Sequence, residues 1–254
     1  MNTIPRSEHP KPQFQRDSWM NLNGLWAFEI DNGRSGKARG LHQADAQLSD
    51  TILVPFCPQS ELSGVNHKDF LYGVWYRRTV DLTKEQLSGR VVLHFGAVDY
   101  HCEAFVNGVS VGTHTGGYVS FCFDVTEAVH EGENVITVYA EDDERDPLIP
   151  RGKQSELFYS HGCDYTRTTG IWQTVWMEFL PETHIEKIKI FPNVETGSFD
   201  VEALLKGAGT LAVEASYEGR PMGAASVKAD GGLVRLHLPL QETHMWELGC
   251  GRLY

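Results

Sequence analysis

Bulky side chains in this chain recur with a period of two, and no stretch holds a period of 3.6 for long. The clearest case is Ile171-Trp172-Gln173-Thr174-Val175-Trp176-Met177. In an extended strand Trp172, Thr174 and Trp176 would share one face, and Ile171, Val175 and Met177 the other. Bulk on both faces is the pattern of a strand held between two layers. Val91–Phe95, Glu103–Val106 and Asn134–Tyr139 read as strands too. Asn107-Gly108 supplies two residues that tolerate positive φ, as a type I′ hairpin turn requires. Helix signals are short. Thr83-Lys84-Glu85-Gln86 has the spacing of a capping box, but Gly89 follows within two turns. With no helix long enough to cover a sheet, another sheet must cover it, and the chain is predicted to be an all-β sandwich.

The pattern changes near Pro181. Upstream the chain is rich in Trp, Tyr and His; from His184 onward the strands are plainer. Ile185–Ile190, Phe199–Leu205, Leu211–Tyr217 and Leu233–Leu238 are joined by Gly-containing turns at Glu218-Gly219 and Asp230-Gly231-Gly232. The spacing predicts two domains, 1–183 and 184–254, the second a partial immunoglobulin-like β-sandwich. Five strands are expected after His184, against about seven in a constant-type immunoglobulin sandwich. Leu211–Tyr217 is therefore expected to lose its neighbours, and residues from about 184 onward to be less stable than the first domain and either mobile or completed by another molecule, a homo-oligomer being one form.

The chain of 254 residues carries 22 Lys and Arg against 34 Asp and Glu, a net charge of −12. A phosphate backbone or anionic membrane surface needs a basic face, so neither nucleic acid nor a membrane is an expected partner. No apolar run reaches the ~20 residues of a membrane helix. The start, MNTIPRSEHP, lacks the apolar core of a secretory signal. Five Cys, an odd number with no CxxC pair, fit reduced, buried thiols and a cytoplasmic location better than a disulfide framework.

Candidate chemistry is sparse. His101 and Cys102 are adjacent on a strand and point to opposite faces. His161 and Cys163 flank Gly162, but two ligands do not make a tetrahedral zinc site, so no metal and no other cofactor is expected. Gly-Thr-His-Thr-Gly-Gly at 112–117 has no phosphate-binding Lys and reads as a loop. Glu141-Asp142-Asp143-Glu144 reads as a solvated strand end, because nothing sets two of these carboxylates in opposition across one bond. The most unusual stretch is Gly162 to Trp172. It brings Asp164, Tyr165, Arg167 and several hydroxyls into one loop before a Trp-rich strand. Carboxylates and guanidinium groups hydrogen-bond sugar hydroxyls, and aromatic rings cover the apolar sugar face. An Asp–Arg pair that pins a buried loop explains the same residues equally well.

A series of short segments then carries a resemblance. Leu22–Trp26, Val54-Pro55-Phe56, Ser60–Gly64, Trp75–Arg78, His94–Tyr100, Val106-Asn107-Gly108, Gly116-Gly117-Tyr118, Phe123–Thr126, Gly132-Glu133-Asn134, Pro150–Gln154 and Tyr165–Gln173 occur in this order. Together they resemble the N-terminal part of glycoside hydrolase family 2, the β-galactosidase/β-glucuronidase family. The match runs over about residues 5–183 and is looser beyond. The resemblance implies a jelly-roll (galactose-binding-like) sugar-binding sandwich, an immunoglobulin-like domain and then a (β/α)₈ barrel that holds both catalytic carboxylates, the acid/base within an Asn-Glu pair. No Asn-Glu dipeptide occurs here, so this chain alone is expected to be inactive. At the position of Asp164 the family places an Asp that reaches the terminal sugar. Tyr165 lies beside it, and Arg167 matches a position that orders the loop. These three are the substrate-binding candidates; Arg151 and Lys153 receive no role.

The expected function is therefore the non-catalytic, carbohydrate-binding front of a retaining exo-β-glycosidase, with a β-linked sugar or oligosaccharide and the catalytic barrel as its partners. Two rivals come from other classes. A free-standing lectin-like module would bind simple sugars by itself. A ligand-free oligomerisation scaffold would give a featureless glycan screen and a stable oligomer.

Overall fold

The computed structural model describes residues 4–143 and 145–254. The chain divides into two compact units, Met1–Leu180 and Pro181–Tyr254. Every strand pairing is antiparallel.

The first unit is a sandwich of two sheets. One has six strands in the spatial order Asp50–Val54, Gly24–Ile30, Gly73–Leu82, Gly132–Glu141, His101–Val106, Val109–Thr115. The other has four, in the order Trp19–Asn21, Val175–Leu180, Arg90–Phe95, Phe121–Asp124. Between them Trp26, Phe28, Ile52, Tyr76, Ile136 and Val138 of the larger sheet meet Leu93, Phe95, Val175 and Met177 of the smaller, all buried. At the hairpin between His101–Val106 and Val109–Thr115, Asn107 and Gly108 take φ of 53° and 82°. Both values lie in the region a type I′ turn requires.

The outer faces are covered as well. Trp75, next to Tyr76 on the same strand, must point the opposite way. It stacks on Tyr139 with centroids 4.5 Å apart, and Leu41 and Phe105 complete this smaller cluster. Its indole N–H donates to Asp31 Oδ2 at 3.0 Å, and the same carboxylate accepts from the Gly36 and Ser35 amides at 2.7 and 3.0 Å. Burial opposes ionisation of Asp31, but these bonds outweigh it and hold the carboxyl below its ordinary value. On the smaller sheet, His94 lies flat on Trp176, and Glu178 takes Arg16 at 2.6 Å and faces His94 Nε2 at 2.9 Å.

Two local expectations change. The stretch Ile171–Met177 is not one strand. Gly170–Ile171 pairs with Val98–Asp99, and pairing resumes only at Val175 opposite Phe95. The partner strand breaks at the same level, where Gly96 N donates to Thr174 O at 2.9 Å. The break is filled by Trp172, whose indole donates to Gly117 O at 2.8 Å. Residues 112–115 of the Gly-rich stretch belong to the edge strand Val109–Thr115 rather than to a loop. At Thr83 the two reciprocal capping-box bonds do form, at 2.8 and 3.4 Å, around a turn with no helix after it. Among the described residues no helix is long and apolar enough to cross a membrane.

The second unit has a sheet of three strands, His184–Asn193, Ser198–Lys206 and Gly232–Pro239, and a hairpin of Gly209–Tyr217 with Arg220–Ala229. Ala215, Met222, Leu236 and Leu238 form its small buried core. Beside them lies an apolar cleft of about 520 Å³ lined by Phe199, Val213, Trp246, Leu253 and Tyr254. Ile190, Val194 and Leu233 are more than half exposed.

Two predictions follow from packing and charge. Amides of residues 184–254 should exchange with solvent faster than those of Arg90–Phe95 in dilute monomer, since local stability tracks buried apolar contact. Equal protection would refute this. The second concerns Glu178, whose burial raises its pKa while the bonds to His94 and Arg16 lower it more. The net value lies below the ordinary 4.5. Stability contributed by a depressed carboxyl is complete above its unfolded value and is lost as pH falls through the folded one. The difference in unfolding free energy between wild type and Glu178→Gln should thus hold above pH 4.5 and shrink below it. Urea titrations across pH measure this.

Candidate functional site

Residues 142–169 connect Gly132–Glu141 to Gly170–Ile171, and the described residues among them form no regular strand. A segment this long is ordered only if its backbone polar groups find partners. Buried side chains supply them. Arg167 is 1% exposed, and its guanidinium donates to the carbonyls of Ser155, Leu157 and Lys68. The same group lies 4.2 Å from the centroid of Phe70, a cation–π contact beneath the loop. Gln154 donates to Asp99 Oδ2 at 2.7 Å and to Tyr118 Oη at 3.1 Å, and accepts from Thr168 N at 2.5 Å. Gln59 brackets Thr169, accepting from its amide at 3.2 Å and donating to its hydroxyl at 2.9 Å. At the loop's exit Gly170 has φ of 75°, and a Cβ there would overlap Tyr76 Oη, so only glycine fits.

This frame sets the three sequence-derived residues apart. Asp164 sits in a tight turn, its amide donating to His161 O at 2.8 Å and its carbonyl accepting from His161 N at 3.2 Å. Its side chain is about a quarter exposed, with His161 Nε2 at 3.7 Å and the Cys163 thiol at 3.9 Å. Tyr165 is pinned by its backbone, N to Lys153 O at 2.7 Å and O from Ser155 N at 2.8 Å, while its ring is 62% exposed. Arg167 is turned inward. The structure therefore brings Asp164 and Tyr165 to the surface side by side and holds Arg167 below them. Phe158 and Tyr159 are also well exposed on this loop, as is Leu148.

Residues 19–181 match the family model described as glycosyl hydrolases family 2, sugar binding domain. The chain belongs to glycosyl hydrolase family 2. It is 30% identical over 184 residues to a putative β-glucuronidase of Formosa agariphila, covering 72% of this chain and 21% of that protein. It is 33% identical over 123 residues to a β-galactosidase of Thermoanaerobacter pseudethanolicus, covering 48% and 16%. The β-glucuronidase of Lactobacillus rhamnosus shares the fold, with a TM-score of 0.76 at 22% identity over 95% of this chain and 42% of that one. The chain thus spans less than half the length of each of these family 2 relatives.

Several features of this family 2 chain depart from the sequence reading. Asp142 is 2% exposed, not a solvated strand end, and Glu141 accepts from Tyr139 Oη at 2.6 Å. Asp143 lies 4.0 Å from Arg34, and Glu144 falls outside the described residues. Of the five thiols, all free, Cys102 is buried and Cys57 partly so, whereas Cys122, Cys163 and Cys250 are exposed. His101 and Cys102 do point apart as expected, His101 Nδ1 meeting Thr115 Oγ1 at 2.8 Å while Cys102 is buried. Asp99 and Gln154, buried polar partners that organise the site, escaped the sequence reading. The only signal was their place within resembling segments.

The bracket at Arg167 is testable. Arg167→Ala leaves three carbonyls without their donor, and each unmet buried group costs roughly 1–3 kcal/mol. The expected loss is about 3 kcal/mol in urea unfolding, with faster proteolysis within residues 145–165. Tyr165→Ala should stay within about 0.5 kcal/mol of wild type. A stable Arg167→Ala protein with an intact loop would remove Arg167 from this role.

Proposed function

We propose that this chain is the non-catalytic front of a retaining exo-β-glycosidase and that it presents Asp164 to the terminal β-linked sugar of a substrate whose bond is broken in a separate barrel domain. One observation carries the reading. A braced loop brings a partly exposed carboxylate, held only by the weak thiol donor of Cys163 at 3.9 Å, next to the exposed aromatic ring of Tyr165. An ionised carboxylate is an acceptor only, and sugar hydroxyls are its natural donors. The exposed ring offers the apolar contact a pyranose face needs. Membership in the family and its similarity to a β-galactosidase and a putative β-glucuronidase support a galactoside or glucuronide as substrate. Against a glucuronide, Asp164 would have to contact a hydroxyl, because two carboxylates repel. Arg167 acts through the loop as a positioning residue. Exposed Leu148, Phe158 and Tyr159, on the same connection as Asp164, give the barrel an apolar surface to cover.

In the full-length protein Asp164→Asn should lower kcat/KM about 10²-fold on a nitrophenyl β-glycoside, because the contact strengthens as charge develops at the sugar. The melting temperature should hardly move. A large fall in melting temperature with normal kinetics would return Asp164 to a purely structural part. The 254-residue chain alone should release no nitrophenol from β-galactoside, β-glucuronide or β-mannoside; turnover surviving repurification would overturn the assignment.

A further inference from the structure

At the loop tip three side chains converge without touching. His161 Nε2 stands 3.7 Å from Asp164 Oδ2 and 3.9 Å from Glu156 Oε1. One ligand-capable atom from each residue lies within 4.8 Å of the others. These separations are too long for hydrogen bonds.

The opposite ring nitrogen decides what faces the gap. Ser155 Oγ lies 2.8 Å from the Tyr159 carbonyl, which can only accept, so the one hydroxyl hydrogen goes there. Ser155 Oγ also receives Leu157 N at 3.1 Å. Toward His161 Nδ1, 3.1 Å away, it can then only accept, so Nδ1 carries the ring hydrogen. In the neutral ring Nε2 is left with a lone pair aimed between two carboxylates. Such an arrangement favours a cation in the gap. A proton on Nε2 would draw the carboxylates into hydrogen-bond range. A metal ion would hold all three apart: ligand atoms around tetrahedral zinc stand about 3.4 Å from one another. The two gaps from His161 need to close by only about 0.3 to 0.5 Å, and the two carboxylates, within 4.8 Å of each other, by a swing of exposed side chains.

The surroundings fit ligation. Glu156 is oriented by Arg151 Nη2, 3.0 Å from Oε2, which leaves Oε1 for the gap. Ser155 is the outer-shell acceptor that a metal-bound imidazole ordinarily has. All three side chains are partly exposed, so water can fill the remaining positions. We propose that Glu156, His161 and Asp164 form a divalent transition-metal site that takes Zn²⁺ or Mn²⁺, the ions suited to one imidazole and two carboxylates. Cys163, next to Asp164 in sequence, is not part of the group. The ion would close residues 156–164 into a ring and fix the Asp164 carboxylate through Oδ2. The site shares Asp164 with the proposed sugar contact but does not depend on it, and its test contains no sugar.

The tag-free chain, stripped with chelator, is titrated with ZnCl₂ by calorimetry. One Zn²⁺ per chain is expected. Glu156→Gln and His161→Ala should each weaken binding by about tenfold or more, and Ser155→Ala should weaken it by loss of the outer-shell bond. In a parallel arm Mn²⁺ should broaden the His161 ring resonances before those of the other histidines. Glu156 is exposed enough that its variant should melt with the wild type in chelator, so this arm stands even where His161→Ala folds poorly. Absence of stoichiometric Zn²⁺ binding overturns the proposal. So does an affinity that Glu156→Gln leaves unchanged, or Mn²⁺ broadening centred on another histidine.

Discussion

A long connection without a ladder must have its carbonyls met from elsewhere, and here one buried cation answers that need. Arg167 gathers Ser155, Leu157 and Lys68 around a single guanidinium, over the ring of Phe70. The planar fork suits this task because its donors diverge in fixed directions. Gln154 and Gln59 continue the same scheme with neutral amides. The exposed chemistry of Asp164 and Tyr165 rests on polar groups that never see solvent.

The scaffold beneath follows a simpler rule. Side chains alternate along each strand, so a strand with bulk on both faces requires cover on both. Tyr76 fills the space between the sheets while Trp75, one residue earlier, needs its own roof, supplied through Asp31 and Leu41. Trp176 and Met177 repeat the arrangement on the other sheet, with His94 against the indole. In the second unit the strands alternate too but carry apolar bulk chiefly on one face, and they bury correspondingly little.

Alternation and turn chemistry made the all-β sandwich legible before any coordinates, down to the Asn107-Gly108 hairpin. The break inside Ile171–Met177 was not legible, since it depends on a matching break in a distant strand at Gly96. The sequence also left Asp164 and Arg167 open as either a sugar contact or an internal pair. The structure separates them: one carboxylate outward, one guanidinium inward, with no bond between the two. Charge runs misled at Asp142, because adjacency in sequence says nothing about which side of a strand end is roofed. The grouping of Glu156 with His161 and Asp164 was invisible for a related reason. It depends on how the loop folds back on itself around Ser155.

The bracing divides the loop into parts with different freedom to vary. Ser155, Leu157 and Arg167 hold the stem, whereas Tyr159, Ser160 and His161 bond only to near neighbours on the same loop, Ser155, Asp164 and Thr166. Backbone partners are indifferent to side-chain identity, so the guanidinium grips the stem whatever the neighbouring residues become. Substitutions, and even changes of length, at the tip would leave the sandwich intact. Sequence drift in a lineage can therefore remodel the surface that meets a ligand while the fold beneath it stays constant.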